Sequence, residues 1–261
     1  MTAVHYLGWS GFLLDDGEAR IAIDPHWSSW ATEGCLPAFD LTPLTGIVLS
    51  HGHPDHVADV PTLMTLHPRA WVLADEAVAR WLRTRVPTAE SRVLTARPGT
   101  AHARNGVSVM LHPGVHVGDG GLAQVRKLLR YARRSPLATA RLLRATHDGP
   151  ANGGVYTVEL TMPSGTRVVH AAETIHKDAP WSELEAARLA AGVDVFLLGV
   201  EPGEEAACRQ ELRRAGSTRT LLFSPHARTR AVFGDRHDVD WASLLSEPGA
   251  ERARPTTDVA P

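Results

Sequence analysis

Short apolar runs alternate along the chain with segments whose apolar residues recur at helical spacing. Buried strands are indicated by β-branched runs such as 46–49 and 70–74. Amphipathic helices are indicated at 75–82 and at 204–215, the second of which ends at Gly216. This alternation of strands and helices predicts a layered α/β fold.

Three further segments complete the predicted architecture. Residues 3–24 predict two strands joined by a turn at Asp15-Asp16-Gly17. Residues 122–148 have leucines at helical spacing on both sides of a Ser-Pro pair, which predicts a helical hairpin inserted between strands. Residues 248–261 are polar and without periodicity, which predicts a disordered tail after one domain over residues 1–247.

Composition excludes several classes of protein. The 261 residues are 43% hydrophobic, and the net charge of −2 gives no general attraction to nucleic acid. No apolar run approaches the ~20 residues that span a bilayer, and the opening residues do not resemble a signal peptide. Cys35 and Cys208 are too few for a cysteine zinc site. We therefore expect a cytoplasmic protein without a nucleic-acid partner, and membrane contact is not expected.

The strongest chemical signal is the stretch His51-Gly52-His53-Pro54-Asp55-His56, between a predicted strand and a predicted helix. Alternate side chains of an extended loop point the same way, so His51 and His53 can reach one point. Asp55 and His56 follow the turn at Pro54 and can reach a second point. Imidazole and carboxylate are good ligands for borderline divalent metals. The motif therefore predicts a metal site at the carboxyl end of a strand.

This motif resembles the HxHxDH signature of the metallo-β-lactamase-fold hydrolases. Residues 6–14 and 21–25 also resemble the opening hairpin of one branch, which contains ascorbate-6-phosphate lactonase-like and N-acylphosphatidylethanolamine phospholipase D-like proteins. The likeness covers most of the chain, but only the central motif is highly specific. It implies a four-layer αββα sandwich with the helical insert at 122–148 and a mono- or dinuclear metal site at one edge.

The resemblance also implies the remaining ligands. His116 matches the third histidine of the first metal better than His112, which is the alternative. Glu173 stands where relatives usually have a bridging aspartate, so its longer side chain changes the reach of the carboxylate. His226, at the end of a late strand, matches the final ligand of the second metal. Asp24 matches an aspartate that orients a metal-bound histidine.

Together these residues predict a metal-dependent hydrolase. His51, His53 and His116 would hold one metal, and Asp55, His56 and His226 the other, with Glu173 between them. Asp55 is also the candidate for proton transfer. Two zinc ions are expected, although manganese or iron suit the same ligands. The bond cleaved is an ester, lactone, thioester, amide or phosphodiester.

The predicted insert is strongly basic. A basic lid would favour an anionic small-molecule substrate, whereas a solvated face or contact with an anionic membrane are the other interpretations. Two alternatives to a small-molecule hydrolase follow. One is a non-hydrolytic or binding member of the same fold with an altered metal site, and the other is a membrane-associated phospholipase-like enzyme.

Overall fold

The computed structural model describes residues 2–26, 43–114, 122–150, 153–174, 192–234 and 238–254, without the side chains of 122–124, 172–174 and 228. Within these residues the chain forms two β-sheets that pack face to face, with helices on both outer faces. The predicted αββα sandwich is therefore confirmed.

The first sheet contains six strands in chain order. Its strands β1 to β6 are Ala3–Gly8, Gly11–Asp15, Arg20–Ile23, Gly46–Val48, Trp71–Ala74 and Val93–Thr95. β1, β2 and β3 pair antiparallel, and β3 to β6 pair parallel. The parallel strands are short and almost wholly buried, as continuous apolar runs require when both sheet faces are covered.

The second sheet contains seven strands, also in chain order. Its strands β7 to β13 are Ala101–Arg104, Val107–Pro113, Tyr156–Thr161, Arg167–Thr174, Val195–Gly199, Arg219–Phe223 and Ala250–Arg252. β7 to β10 pair antiparallel, and β10 to β13 pair parallel. Each sheet therefore has a parallel part, and at its carboxyl end a ligand can bind.

The helices of the described residues cover the two outer faces and the sheet edges. They are α1 Pro54–Val57, α2 Val60–Leu66, α3 Glu76–Arg85, α4 Leu122–Arg134, α5 Pro136–Asp148, α6 Glu205–Ala215, α7 Ala227–Val232 and α8 Trp241–Leu245. A 3₁₀ helix follows α3 at Pro87–Arg92. The central core joins the inner faces of both sheets, where Phe12 and Leu197 are wholly buried. Leu82 of α3 packs on one outer face, and Leu244 of α8 packs on the other.

Several predicted local features are present. Asp75 caps α3 by accepting the backbone N–H of Val78 at 2.8 Å. Gly216 follows α6 in the left-handed conformation that a helix C-terminus favours. The predicted insert is the α4–α5 hairpin. Residues 181–191, whose periodicity also predicts a helix, lie outside the described residues.

Three predictions of local structure were wrong. Residues 3–24 form three strands, because the chain reverses at Trp9–Ser10 as well as at Asp15–Gly17. The apolar spacing of residues 57–64 predicts one helix after the histidine motif, but this part of the chain contributes to two helices, since Pro61 begins a new first turn in α2. The tail expected to be disordered from residue 248 instead supplies β13, which pairs with β12 and covers the sheet edge.

Candidate metal centre

The histidine motif lies at the carboxyl end of β4, in the parallel part of the first sheet. Ser50 and His51 are buried directly after the strand. Pro54 then begins α1, and its fixed φ angle suits the first helical position. The helix therefore places Asp55 and His56 on its first turn, as the sequence predicts, away from the extended residues before Pro54.

The imidazole rings of the motif contact one another. The ring centroids of His51 and His53 are 4.6 Å apart, and those of His51 and His56 are 3.9 Å apart. His51 and His56 are 2% and 1% exposed. Buried histidines packed this closely cannot all be protonated without strong repulsion. Their proximity favours neutral rings, which is the form that binds a metal.

Asp24 contacts His56 directly and His51 through Ser50. One carboxylate oxygen of Asp24 accepts the backbone N–H of Ser50 at 2.8 Å. The other accepts the Ser50 hydroxyl at 2.5 Å and lies 2.9 Å from Nδ1 of His56. The same hydroxyl lies 2.9 Å from Nδ1 of His51 and, having donated to Asp24, accepts the His51 N–H. The expected hydrogen bond between a motif histidine and Asp24 is present.

The charge on Asp24 is stabilised although the side chain is wholly buried. Burial alone raises the pKa of this carboxyl group, but the electrostatic interaction and hydrogen bond with His56 outweigh it and hold the pKa below its ordinary value. Asp24 therefore remains an acceptor at neutral pH, and it holds the His56 proton on Nδ1. Nε2 of His56 is then the nitrogen that can bind a metal.

His226 approaches the motif from the second sheet, at the start of α7 after β12. Its Nε2 lies 3.9 Å from the Asp55 carboxylate. Its Nδ1 lies 3.2 Å from the carboxylate of Glu201, which also pairs with Arg230. The structure therefore brings together His51, His53, Asp55, His56 and His226 from both sheets.

Sequence reasoning missed Glu201. This residue comes two positions after the end of β11, so its carboxylate meets His226 where adjacent parallel strands end. It fixes His226 as Asp24 fixes His56. Its place beyond a buried strand was the available signal, but a single glutamate before proline resembles an ordinary loop residue.

These contacts fit a divalent metal. Each of His51, His56 and His226 has Nδ1 at a carboxylate or hydroxyl, an arrangement that metal-binding histidines almost always show. Within the described ranges, no group of three or more His, Cys, Asp or Glu side chains is placed to hold a metal ion by itself. His116 and the side chain of Glu173, which would complete the predicted set, lie outside the described residues, as does His176.

Two other histidines are engaged elsewhere. Nε2 of His112 lies 2.9 Å from Glu159 on the neighbouring β9, so this alternative ligand has a partner in the sheet. Burial raises the pKa of Glu159, but Arg167 and His112 outweigh it and hold the pKa below its usual value. Nδ1 of His26, which is wholly buried, lies 3.0 Å from Asp59.

The helical insert contacts both halves of the site. A Cβ at Gly52 would lie 2.8 Å from Pro150, directly after α5, so only glycine allows this approach. In α4, Tyr131 stacks on Phe233 with ring centroids 3.8 Å apart. The hairpin thus spans from the histidine motif to the end of α7.

The outward surface of the insert is basic and partly apolar. Its basic side chains are Arg126, Lys127, Arg130, Arg133, Arg134, Arg141 and Arg144, and all but Arg141 are exposed. α4 contains no acidic residue. Four large apolar side chains are also at least half exposed, namely Val125, Leu129, Leu137 and Leu143. A surface of this kind suits anionic molecules.

Two observations concern chemistry away from this centre. Burial is the largest cause that raises the pKa of the Cys208 thiol to about 12, so this cysteine is not a nucleophile. No helix among the described residues combines the length and apolarity needed to cross a bilayer.

Comparison with known proteins gives a consistent picture. A family model described as the beta-lactamase superfamily domain matches residues 19–207, well over half of the chain. A UPF0173 metal-dependent hydrolase of Rhizobium etli is 36% identical over 80 residues, which are 30% of this chain and 34% of that protein. One of Sulfurisphaera tokodaii is 26% identical over 116 residues, 44% of this chain and 51% of that protein.

The chain thus spans between a third and about half of the length of these two curated relatives. Among solved structures, it is similar to Igni18, a novel metallo hydrolase of Ignicoccus hospitalis, with a TM-score of 0.63 and 14% identity. That alignment covers 97% of this chain and 94% of Igni18, and it establishes likeness of fold.

Proposed function

Because the chain belongs to the metallo-β-lactamase superfamily, we propose that it is a metal-dependent hydrolase acting on an anionic small molecule. The observation that carries the proposal is the common orientation of three histidines. Ser50, Asp24 and Glu201 hold Nδ1 of His51, His56 and His226, and Asp55 lies beside His226. A hydrogen-bond partner at Nδ1 fixes the orientation of each ring and leaves Nε2 as the nitrogen that can bind a metal.

The proposed ligand set is dinuclear. His51, His53 and His116 would hold one ion, and Asp55, His56 and His226 would hold the other, with Glu173 shared between them. The ligands contain no thiolate to select a soft ion, and zinc is our first choice. Bound divalent ions supply a water whose pKa is near neutrality and polarise the scissile bond.

The residues of the chain supply position and proton transfer. Asp24, Ser50 and Glu201 fix the rings, so that little reorganisation is needed during turnover. The side chain of Asp55 is only 14% exposed, and it lies where the histidine motif of the first sheet meets His226 of the second. It can accept a proton from the attacking water or deliver one to the leaving group.

The insert supports the anionic character of the substrate. Its arginines lie on a hairpin that touches Gly52 on one side and Phe233 on the other. Guanidinium groups bind carboxylate and phosphate through paired hydrogen bonds. A substrate panel should therefore contain anionic lactones, esters, thioesters and phosphodiesters, each with and without an acyl chain, beside neutral analogues.

Metal content is the direct test of this proposal. We expect one to two equivalents of divalent metal per chain in protein purified without added metal, measured by elemental analysis. Removal of the metal with a chelator should abolish hydrolysis, and zinc should restore it. Less than a tenth of an equivalent, with no uptake on reconstitution, would contradict the proposal. Metal without hydrolysis of any panel member would favour the non-hydrolytic alternative.

The bridging role of Glu173 has its own test. A carboxylate between two cations offsets their repulsion, so Glu173→Gln should lose one metal or bind it much more weakly. Glu173→Asp should retain both, because aspartate is the usual residue of relatives. Calorimetric titration of zinc into the three metal-free proteins measures this difference. Equal stoichiometry and affinity in wild type and Glu173→Gln would show that Glu173 is not a ligand.

A further inference from the structure

His170 is a wholly buried polar residue on β10. Its ring packs against Phe12 and Phe223, with centroids 5.7 Å from each. Its Nε2 donates to the carbonyl oxygen of Ser10 at 2.9 Å. A side chain of the second sheet thus holds the β1–β2 turn of the first.

The turn held by His170 leads into Gly11, which lies beside Asp24. A Cβ at Gly11 would lie 3.0 Å from the carbonyl oxygen of Asp24, so the two backbones approach too closely for a side chain to fit without a shift. Asp24 has φ of 44°, a left-handed conformation that is disfavoured for residues other than glycine. Such a conformation persists only where its surroundings hold it. The Ser10–Gly11 turn is one of those surroundings.

The opposite edge of the His170 ring faces the Asp24 carboxylate itself. Nδ1 of His170 lies 3.9 Å from the oxygen that accepts from His56 and Ser50. This distance is too long for a hydrogen bond but short enough to limit movement of the carboxylate. The His170 side chain therefore lies beside the Asp24 carboxylate, and through its hydrogen bond to Ser10 it also holds the turn next to the Asp24 backbone.

We propose that His170 is a positioning residue for the metal centre. Through the Ser10–Gly11 turn and by direct contact it holds Asp24 in the conformation that orients His56 and, through Ser50, His51. This role rests on the proposed function, since the oriented rings are the proposed ligands. It explains why a histidine occupies a buried site against two phenylalanines, where an apolar side chain would otherwise suffice.

The charge state of His170 agrees with this role. Burial lowers the pKa of His170 to about 4, against the opposing effect of Asp24. The ring is therefore neutral near pH 7. A neutral His170 ring does not compete with His56 for the negative charge of Asp24. Its proton stays on Nε2, which donates to the carbonyl oxygen of Ser10.

The test compares His170→Leu with His170→Gln. Leucine removes the bond to Ser10, whereas the glutamine amide can still donate to it. We expect His170→Leu to weaken zinc binding to the metal-free protein by about 10-fold or more, the usual loss for an outer residue of a metal site. His170→Gln should recover affinity to within about 3-fold of wild type. Calorimetric titration with zinc gives these affinities, and urea unfolding reports stability separately.

Two further variants control for a general packing defect. His102→Leu removes a histidine of the edge strand β7, whose Nε2 accepts the backbone N–H of Arg97, and it should leave zinc affinity unchanged. Gly11→Ala places a Cβ 3.0 Å from the carbonyl oxygen of Asp24, as well as 3.2 Å from that of Gly8 and 3.3 Å from Cβ of Leu7, and it should weaken zinc binding as His170→Leu does. A folded His170→Leu protein with wild-type affinity would overturn the proposal, and so would wild-type affinity in Gly11→Ala if His170→Leu does not fold.

A readout without metal separates this inference from the proposed function. In metal-free wild type, the nitrogen NMR signals of His56 should show the proton on Nδ1, whereas His170→Leu should show a mixture of tautomers. If wild type takes up no metal but His56 changes in this way, the proposed function fails and the positioning role stands. If neither the tautomer nor zinc affinity changes, the positioning role fails.

Discussion

Asp55→Ala is expected to reduce hydrolysis at least ~100-fold while the protein stays folded, because the change removes a proposed ligand and the group that transfers a proton. The side chain lies in the first turn of α1, 3.9 Å from Nε2 of His226. Loss of its charge near a helix N-terminus costs about 0.3–1 kcal/mol of stability. Activity on the best panel substrate, zinc stoichiometry and urea unfolding together measure the effect.

Glu76→Ala is the matched control for this change. Glu76 also lies in the first turn of a helix, α3, but its side chain is exposed and pairs with Arg80 of the same helix. Its replacement should leave hydrolysis and zinc binding at wild-type values. A fully active Asp55→Ala protein would show that the reaction does not use this centre as assigned.

Asp24→Asn is expected to weaken zinc binding by about 10–100-fold and to lower the free energy of unfolding by about 3 kcal/mol. The amide nitrogen of asparagine is a donor, yet it would face the Ser50 hydroxyl and Nδ1 of His56, which both now donate to the carboxylate. At least one buried donor is then left without an acceptor. Zinc titration and urea unfolding of the metal-free protein test the two effects.

Asp75→Asn is the control that separates the general effect of losing a buried carboxylate from the specific effect of losing that of Asp24. Asp75 is also buried, but it accepts from the backbone N–H groups of Val78 and Gly154. Asparagine is a good helix cap, so stability should fall less and zinc affinity should not change. Equal zinc affinity in Asp24→Asn and wild type would show that Asp24 supports the fold without orienting a ligand.

The elements that the sequence predicted well are those whose pattern reflects burial. β4, β5 and β11 are continuous apolar runs because both of their faces are covered. β7 and β13 escaped notice because edge strands are short and largely exposed, so they carry no apolar pattern. The reversal at Trp9–Ser10 was missed because apolar residues lie directly on both sides of the short Gly8–Gly11 stretch, so the two strands were taken as one.

The candidate site divides in the same way. The motif residues His51 to His56 were found because several ligand-type side chains follow one strand. The contact of Asp24 was expected only from family resemblance. Glu201 and His170 were missed, because each acts through a partner that is distant in sequence and close only after both sheets have formed.

The order of strands in the two sheets has a consequence for how the protein is made. The first sheet takes its strands from Ala3 to Thr95, and the second takes its strands from Ala101 to Arg252. On the ribosome, the half that bears the histidine motif is therefore complete before Glu201 and His226 emerge. A divalent ion bound by both halves would join an early and a late product of translation, and it would stabilise only the fully synthesised chain.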